Sequence, residues 1–419
     1  MKPLSLLSVV PIAASIALTP GSLLAMPMEL RATGSAVTAR RGNARGFPSF
    51  NSQRLDQQLV LYQNHLDRFG PPDVLIVGSS RSLQGVDPVA LEKALAHYGY
   101  SGVNVFNFSI NGATARVIDL VLRKILTPDQ LPEMIIFADG VRAFNSGRVD
   151  RTYQAIVESE GYRLLSQGIR PLQSQALPPS ASPGPTPDAI PGTKSVKAVA
   201  NWRGGHRPGM QGKLDPVAGE GVGPVARMFY RRRRPETRPS LPPSQPPTPS
   251  DPTPSTPQQR PSLPTVQAVM AGQTPNQMQA SGFFPVTSQF DPGRYYQQYR
   301  RVPGRYDGDY ASFSLQGEQM AALEAIAQFA RTRQIPLVVV NLPLSNDYLD
   351  SVRMASERQL RQRLQSMASR EGFLFRDLGM LWPDRNDYFA DPSHLNRYGA
   401  FAVSLHLAQD SSIPWSVAR

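Results

Sequence analysis

The sequence contains no cysteine in 419 residues. This absence excludes disulfide bonds, zinc sites built on thiolates and a cysteine nucleophile, so nucleophilic chemistry has to use serine, threonine, lysine or a carboxylate. Histidine is also scarce, with five in the chain, and the histidines form no cluster with carboxylates at a metal-ligand spacing. Neither a Walker phosphate loop nor a Gly-x-Gly-x-x-Gly motif occurs. We therefore expect no metal and no cofactor.

The first 27 residues have the order of features found in export segments. Lys2 precedes an apolar run at 4–18, and small and turn-forming residues follow it, as in signal peptides. The run is short for a membrane span, which needs about 20 apolar residues. We predict a signal peptide or membrane anchor at 1–27 and a flexible basic linker at 28–50. This predicts export to the periplasm or cell envelope; the alternative is a cytoplasmic location.

Positive charges exceed negative charges by 12. Such a surplus favours anionic partners, including anionic polysaccharides and membrane surfaces. The most basic run, RRRR at 231–234, follows two aromatic residues, but it lies in a stretch with few apolar residues, where a run of like charge is usually solvated. We expect membrane or envelope association and consider nucleic acid an unlikely partner.

Proline is abundant, with 41 residues, and about half of them fall between 171 and 264. The surrounding composition of Ser, Thr, Gln and Gly offers too few large apolar side chains to offset the entropy of ordering the chain. We predict a disordered, proline-rich insertion at 169–280.

Strands alternate with helices on both sides of this insertion. Short apolar runs such as VLIV at 74–77 and LVVV at 337–340 are bounded by stretches with helical periodicity, a pattern typical of βαβ units with a parallel sheet covered on both faces. The parts at 51–168 and 281–419 share this rhythm. We predict one α/β domain, a doubly wound, flavodoxin-like parallel sheet of about five strands, interrupted by the insertion.

A glycine-serine turn ends the first predicted strand, in the sequence IVGSSRS. Ligands of open α/β sheets bind beyond the carboxyl ends of the strands. Ser80 would lie there at a helix N-terminus, whose free backbone N–H groups can stabilise an oxyanion. Ordinary turn and capping chemistry explains Gly78, Ser79 and Ser80 equally well.

A second polar turn, NFSINGAT, follows the next predicted strand. Gly112 lies in this turn, at the same edge of the sheet. Glycine allows a close approach of its backbone N–H to a ligand, although it can equally serve the turn alone.

The third motif is DPSHLNRYGA, at 391–400. Asp391 lies three residues before His394, a spacing that lets a carboxylate accept the Nδ1 proton of the imidazole and leaves Nε2 free to take a proton from a serine hydroxyl. The alternative is a helix cap, with Asp391 or Ser393 as the capping residue and His394 incidental.

These three motifs, in this chain order, resemble the SGNH (GDSL-type) hydrolase superfamily. The resemblance covers about two thirds of the chain, and DPSHLNRYGA is its most specific portion. It implies Ser80 as the nucleophile, His394 as the base, Asp391 as the residue that orients the base, and Ser80 and Gly112 as oxyanion-hole donors.

The sequence departs from the family pattern in two blocks. Where the family has Gly-Asp-Ser-Leu, this chain reads GSSR, with Ser79 and Arg81 at the changed positions. This variant is similar to cell-envelope members such as the D-alanine transfer protein of teichoic acids and the alginate O-acetyltransferases. The family's Gly-x-Asn-Asp block reads ADGVRAFNSGR. Asn145 is the nearest asparagine to that block and our candidate for the remaining oxyanion-hole donor, and Arg142 lies nearer to the expected position.

Four polar residues near strand ends are candidates for lining the pocket. Arg81 and Arg142 follow the first and third predicted strands, and Asn341 and Asn346 flank the end of the fourth. Strand-end turns account for the two asparagines equally well.

The resemblance implies a serine esterase or O-acyltransferase that acts on an ester or acyl group of an envelope polysaccharide, a lipid or a small ester. The alternative is an SGNH-like scaffold without catalysis that binds envelope polymer or assembles with a membrane complex. The altered Gly-x-Asn-Asp block, the basic surplus and the proline-rich insert favour this alternative.

Overall fold

The computed structural model describes residues 46–172 and 261–418. The predicted signal peptide or anchor, most of the predicted linker and most of the predicted insertion lie outside the described residues. Among the helices in these two ranges, none combines the length and the apolar character that crossing a bilayer requires.

Five strands form one sheet. They are β1 (Val74–Val77), β2 (Val105–Asn107), β3 (Met134–Asp139), β4 (Leu337–Asn341) and β5 (Leu374–Asp377). Their spatial order is β2-β1-β3-β4-β5, and each neighbouring pair is parallel. The predicted α/β architecture with a five-stranded parallel sheet is confirmed.

Alternate residues of the strands are buried on opposite faces of the sheet. In β1, Leu75 and Val77 belong to one apolar cluster, and Val74 and Ile76 belong to the other. Each fully buried side chain of this type contributes about 1.5–3 kcal/mol relative to an exposed one. Burial on both faces explains why the strands are continuous apolar runs without polar alternation.

Twelve α-helices occur in the described residues. In chain order they are α1 (Gln53–Phe69), α2 (Ser80–Gly85), α3 (Pro88–His97), α4 (Ala115–Leu120), α5 (Val141–Phe144), α6 (Arg151–Val157), α7 (Glu160–Ser166), α8 (Val266–Met270), α9 (Pro292–Gln298), α10 (Glu318–Thr332), α11 (Ser351–Glu371) and α12 (Arg397–Gln409). A π-helical turn, Val121–Ile125, continues α4. Helices α1, α4, α10 and α11 bury apolar side chains on one face of the sheet, and α3 and α12 do so on the other.

Side-chain caps determine where several of these helices begin. Ser52, Asp87, Asp350 and Asn396 each accept hydrogen bonds from backbone N–H groups in the first turns of α1, α3, α11 and α12. A cap of this kind is worth about 1 kcal/mol. Ser79, which caps α2, and Asn396, which caps α12, lie in the segments that carry the candidate site.

The described structure resumes at residue 261, although the insertion was predicted to extend to 280. Helix α8 places Val269 in contact with Ala90 and Phe401. At the other boundary, Phe50 is fully buried although it falls in the predicted linker. These isolated apolar residues pack against other elements, and they are too few to produce a periodic pattern.

The sheet joins the two parts of the chain. β3, from the first part, pairs with β4, from the second, in a register that aligns Ile135 with Leu337 and Asp139 with Asn341. Both parts therefore belong to one unit. The carboxyl ends of β1, β3 and β4 consequently lie side by side at one edge of the sheet.

Candidate active site

The turn after β1 places Ser80 at the start of α2. Gly78 approaches β3 so closely that a Cβ atom on it would lie 2.2 Å from the Ala138 carbonyl oxygen. Ser79 caps α2 by accepting from the backbone N–H of Arg81. The turn therefore presents Ser80 beyond the end of β1, as predicted from its position in the sequence.

The Ser80 hydroxyl and the His394 imidazole are in hydrogen-bonding contact. Ser80 Oγ lies 2.8 Å from His394 Nε2. On the other side of the ring, His394 Nδ1 lies 2.8 Å from Asp391 Oδ2 and 3.0 Å from Asp391 Oδ1. The structure therefore brings together the three residues that the sequence predicts as serine, base and orienting carboxylate.

Asp391 is held in its ionised form. Burial alone would raise its pKa, but the positive charge on His394 and hydrogen bonds from His394 and Ser393 lower the pKa of Asp391 to about 2. An ionised carboxylate can only accept hydrogen bonds. When the His394 ring carries a single proton, that proton lies on Nδ1, where Asp391 accepts it, and Nε2 is left to accept from the Ser80 hydroxyl.

The loop that carries Asp391 and His394 is shaped by its own short-range hydrogen bonds. Asp391 Oδ1 accepts from the backbone N–H groups of Ser393 at 2.8 Å and His394 at 3.0 Å. The loop joins two short antiparallel strands, β6 (Phe389–Asp391) and β7 (His394–Leu395). Asn396 then caps α12 and donates its amide to Asp387 and Phe389 carbonyl oxygens. Asp391 thus both shapes the loop and contacts the base.

The backbone N–H groups of Ser80 and Gly112 lie in two neighbouring turns. The N–H of Ile110 donates to Gly78 at 2.9 Å, so the turn containing Gly112 lies beside the Ser80 turn. Within residues 46–172 and 261–418, no acceptor contacts the N–H of Ser80 or of Gly112. Gly112 has φ +71° and a Cβ there would lie 2.6 Å from Thr152 Oγ1, so both its conformation and its surroundings require glycine.

Asn145 is not available as an oxyanion-hole donor in this structure. Its side chain is fully buried, and its Oδ1 accepts from the backbone N–H groups of Gly147 and Ser314, both at 2.9 Å. Its Nδ2 donates to the Asp309 carbonyl oxygen. Asn145 therefore ties the segment at 309–314 to the loop after β3.

Arg142 is paired with a carboxylate. Its Nε lies 3.4 Å from Asp309 Oδ2, and Arg148 Nε lies 3.7 Å from Asp309 Oδ1. Burial acts to lower the pKa of Arg142, but Tyr348, Asp309 and Tyr310 outweigh it and raise the pKa above its ordinary value. Arg142 therefore stays charged, and Asp309 offsets that charge.

The other predicted pocket residues are also engaged. Arg81 and Asn341 are buried; Arg81 donates to the Leu342 and Pro343 carbonyl oxygens, and Asn341 donates to carboxylates of α11 and β5. Asn346 is exposed and donates to Asp384 Oδ1 at 2.5 Å. These contacts are structural, so none of the three is a free pocket group.

Asp139 is the residue of this region that the sequence reading missed. It is fully buried at the end of β3, and it accepts from the backbone N–H groups of Ser79 at 2.6 Å and Gly140 at 2.9 Å. Burial raises its pKa, against the nearby charge of Arg81. The sequence signal for this role is the aspartate that ends the otherwise apolar run MIIFAD.

No protein-family model, no curated protein and no solved structure matches this chain. The resemblance to the SGNH superfamily therefore stays a prediction.

Proposed function

We propose that this protein is an SGNH-type serine esterase or O-acyltransferase that acts on an ester or acyl group of a cell-envelope polysaccharide or lipid. One observation carries the proposal: a continuous chain of hydrogen-bonding contacts links Ser80 Oγ, His394 and Asp391, with heavy-atom distances of 2.8 Å at both steps. A serine, an imidazole and a carboxylate in this order are the arrangement that activates a hydroxyl for attack on a carbonyl. The apolar run after Lys2 supports export to the envelope.

In the first half of the reaction, Ser80 Oγ attacks the carbonyl carbon of the substrate while His394 Nε2 takes the hydroxyl proton. The tetrahedral intermediate collapses when the bond from the carbonyl carbon to the leaving oxygen breaks. His394 then gives its proton to the leaving oxygen. The products of this half are an alcohol and an acyl group bound to Ser80.

In the second half, His394 takes a proton from water or from an acceptor hydroxyl, and the oxygen of that molecule attacks the acyl carbon. The bond to Ser80 Oγ breaks and Ser80 recovers its proton from His394. Water gives a free acid, and a sugar hydroxyl gives a transferred ester. Asp391 stabilises the charged imidazole in both halves because it stays ionised.

The negative charge on the carbonyl oxygen would be stabilised by the backbone N–H groups of Ser80 and Gly112. Removal of one oxyanion-hole donor typically costs about 10²- to 10³-fold in rate. Because the side chain of Asn145 is engaged elsewhere, we expect a modest rate for unhindered esters.

Covalent labelling of Ser80 tests the proposal. The full chain is treated with a fluorophosphonate probe and assayed on a short-chain aryl ester. We expect one label per chain, no label on Ser80→Ala, and a loss of labelling and turnover in His394→Ala. His406→Ala is the matched control, because His406 lies in α12 with its ring against Trp382 and should leave both rates unchanged. Equal activity in Ser80→Ala and the parent would overturn the mechanism.

The engaged side chain of Asn145 favours one other function, an SGNH-like scaffold that binds envelope polymer without catalysis. In that case the parent protein would not label, although its contact between Ser80 and His394 is intact. The labelling experiment therefore separates the two functions directly.

A further inference from the structure

Two buried ionisable side chains, those of Arg81 and Asp139, lie at the turn that carries Ser80. The carboxylate of Asp139 holds the backbone N–H groups of Ser79 and Gly140, and the charge of Arg81 acts on it. Gly140 leaves room for this arrangement, because a Cβ there would lie 1.6 Å from Arg81 Nη1. The nearby positive charge of Arg81 offsets part of the cost of burying the Asp139 carboxyl group.

Arg81 joins the start of α2 to the segment that follows β4. Its Nη2 donates to the Leu342 carbonyl oxygen at 2.6 Å and to the Pro343 carbonyl oxygen at 3.1 Å. Two residues further on, the Ser345 hydroxyl donates to the Pro392 carbonyl oxygen at 2.7 Å. Pro392 lies between Asp391 and His394, so this series of contacts connects the Ser80 turn with the loop of the base.

We propose that Arg81 and Asp139 are positioning residues, which hold the Ser80 turn at hydrogen-bonding distance from the loop that carries His394. The inference rests on the proposed function. Ser80 and His394 are 314 residues apart in the chain, so their distance depends on how the ends of β1, β3 and β4 are joined. Displacement of reacting groups by about 1 Å can cost about 10²-fold in rate. Arg81 is 5% exposed, so it acts without touching substrate.

Replacement of Arg81 by methionine tests this role. In Arg81→Met, we expect kcat and the rate of fluorophosphonate labelling to fall about 10- to 100-fold, with KM within about twofold of the parent. The number of chains labelled at completion stays the same, because the serine is still present in the folded protein. Arg81→Lys should recover part of the rate, since an ammonium group can bond one carbonyl oxygen but lacks the planar fork that holds two.

Arg353→Met is the matched control. Arg353 is also a buried arginine. It donates to the Val302 and Tyr348 carbonyl oxygens and pairs with Asp307, and none of these three partners is hydrogen-bonded to Arg81 or Pro392. We expect this variant to lose stability to unfolding, as Arg81→Met does, while its kcat stays within about twofold of the parent. A loss of kcat as large as that of Arg81→Met would show a general effect of destabilisation and overturn the positioning role.

Ser345→Ala tests the same connection without removing a charge, and so serves if Arg81→Met does not fold. It deletes the hydrogen bond from the Ser345 hydroxyl to Pro392 and leaves the longer one, at 3.3 Å, from the Ser345 backbone N–H. We expect the labelling rate to fall about 3- to 10-fold, corresponding to one hydrogen bond. The double variant should be no slower than Arg81→Met alone, because both changes break one series of contacts. If the parent protein is labelled, and Arg81→Lys and Ser345→Ala are labelled at the same rate as the parent, this inference alone is wrong. If the parent protein is not labelled, the proposed function is wrong, and the positioning role that rests on it is wrong as well.

Discussion

The turn that carries Ser80 and the loop that carries His394 are held in different ways. The Ser80 turn depends on distant residues, since Asp139 lies 60 positions from Ser79 and Leu342 lies 261 positions from Arg81. The loop of the base depends mainly on contacts within three residues, in which Asp391 accepts from the N–H groups of Ser393 and His394. Contacts between distant residues of the assembled sheet hold the Ser80 turn, whereas contacts between near neighbours in the sequence hold the loop that carries His394.

This difference predicts how substitutions act on the two sides. A change beside Ser80 disturbs contacts that also hold the sheet together, so stability and activity should fall together. A change in the loop of the base can remove the chemistry and leave the fold intact. Three substitutions test this separation.

Asp391→Asn should abolish most of the activity with little loss of stability. The Asn oxygen can still accept from the N–H groups of Ser393 and His394, so the loop keeps its shape. The amide nitrogen, however, would donate to His394 Nδ1 and force the proton onto Nε2, which then cannot accept from Ser80. A change of this kind lowers kcat by about 10³- to 10⁴-fold. Aryl ester turnover and thermal unfolding measure the two effects.

Asp410→Asn is the control for that experiment. Asp410 also accepts from nearby backbone and hydroxyl groups and pairs with Arg376, but it lies beyond α12. We expect unchanged turnover. If Asp391→Asn kept the parent's kcat, or lost as much stability as activity, the separation on this side of the site would be wrong.

Gly78→Ala should lower stability and activity together. The added methyl group would lie 2.2 Å from the Ala138 carbonyl oxygen and 2.7 Å from Ser82 Cβ, so β1 and β3 would have to move apart. Overpacking of this type costs about 1–3 kcal/mol. Gly102→Ala is the control, since Gly102 has φ +85° but nothing within 4 Å of the added atom. Denaturant unfolding and labelling rate are measured on both. Full activity in a destabilised Gly78→Ala would contradict the coupling.

The smallest effect on catalysis concerns two carboxyl groups, Asp87 beside the Ser80 helix and Asp391 in the loop of the base, whose pKa values shift in opposite directions. Burial raises the pKa of Asp87, the cap of α3 that follows the Ser80 helix, from 3.8 to about 6, whereas the pKa of Asp391 is lowered to about 2. The contribution of Asp87 is fully present below pH 3.8 and is lost as the pH rises through about 6. The contribution of Asp391 is present above pH 3.8 and is lost as the pH falls through about 2.

Asp87→Asn should remove its part of this pH dependence. Asparagine is an equally good helix cap and stays neutral, so we expect the decline in the free energy of unfolding between pH 4 and pH 7 to be smaller than in the parent, by up to roughly 3 kcal/mol. Urea unfolding of both proteins at a series of pH values measures the difference. Parallel curves would show that Asp87 does not titrate as its burial requires.

The same difference between local and distant contacts decides what the sequence could reveal. The strands and the Asp391, Ser393 and His394 loop are visible in the sequence, because apolar runs and three-residue spacings are local patterns. Ser80 was predictable from its place after a buried strand. The roles of Arg81 and Asp139 were not, because a buried arginine is defined by partners hundreds of residues away.

Two further differences have the same origin. The sequence predicts Asn145 as an oxyanion-hole donor because no asparagine lies nearer to the altered block, but its amide is engaged by the segment at 309–314, whose position only the folded chain shows. Residues 261–280 lack helical periodicity, yet Val269 finds a site between elements from both parts of the chain. Predicting the partners of Asn145 or the packing of Val269 would require knowledge of tertiary contacts.

The pairing of β3 with β4 also determines when the site can form during protein synthesis. A ribosome makes the chain from its N-terminus, so Ser80 is complete 314 residues before His394. A serine hydroxyl without its base is a weak nucleophile. If Ser80 is the nucleophile that we propose, a nascent chain cannot form an acyl-enzyme until the second part has been translated and β4 has paired with β3, and reactivity arises only with the finished fold.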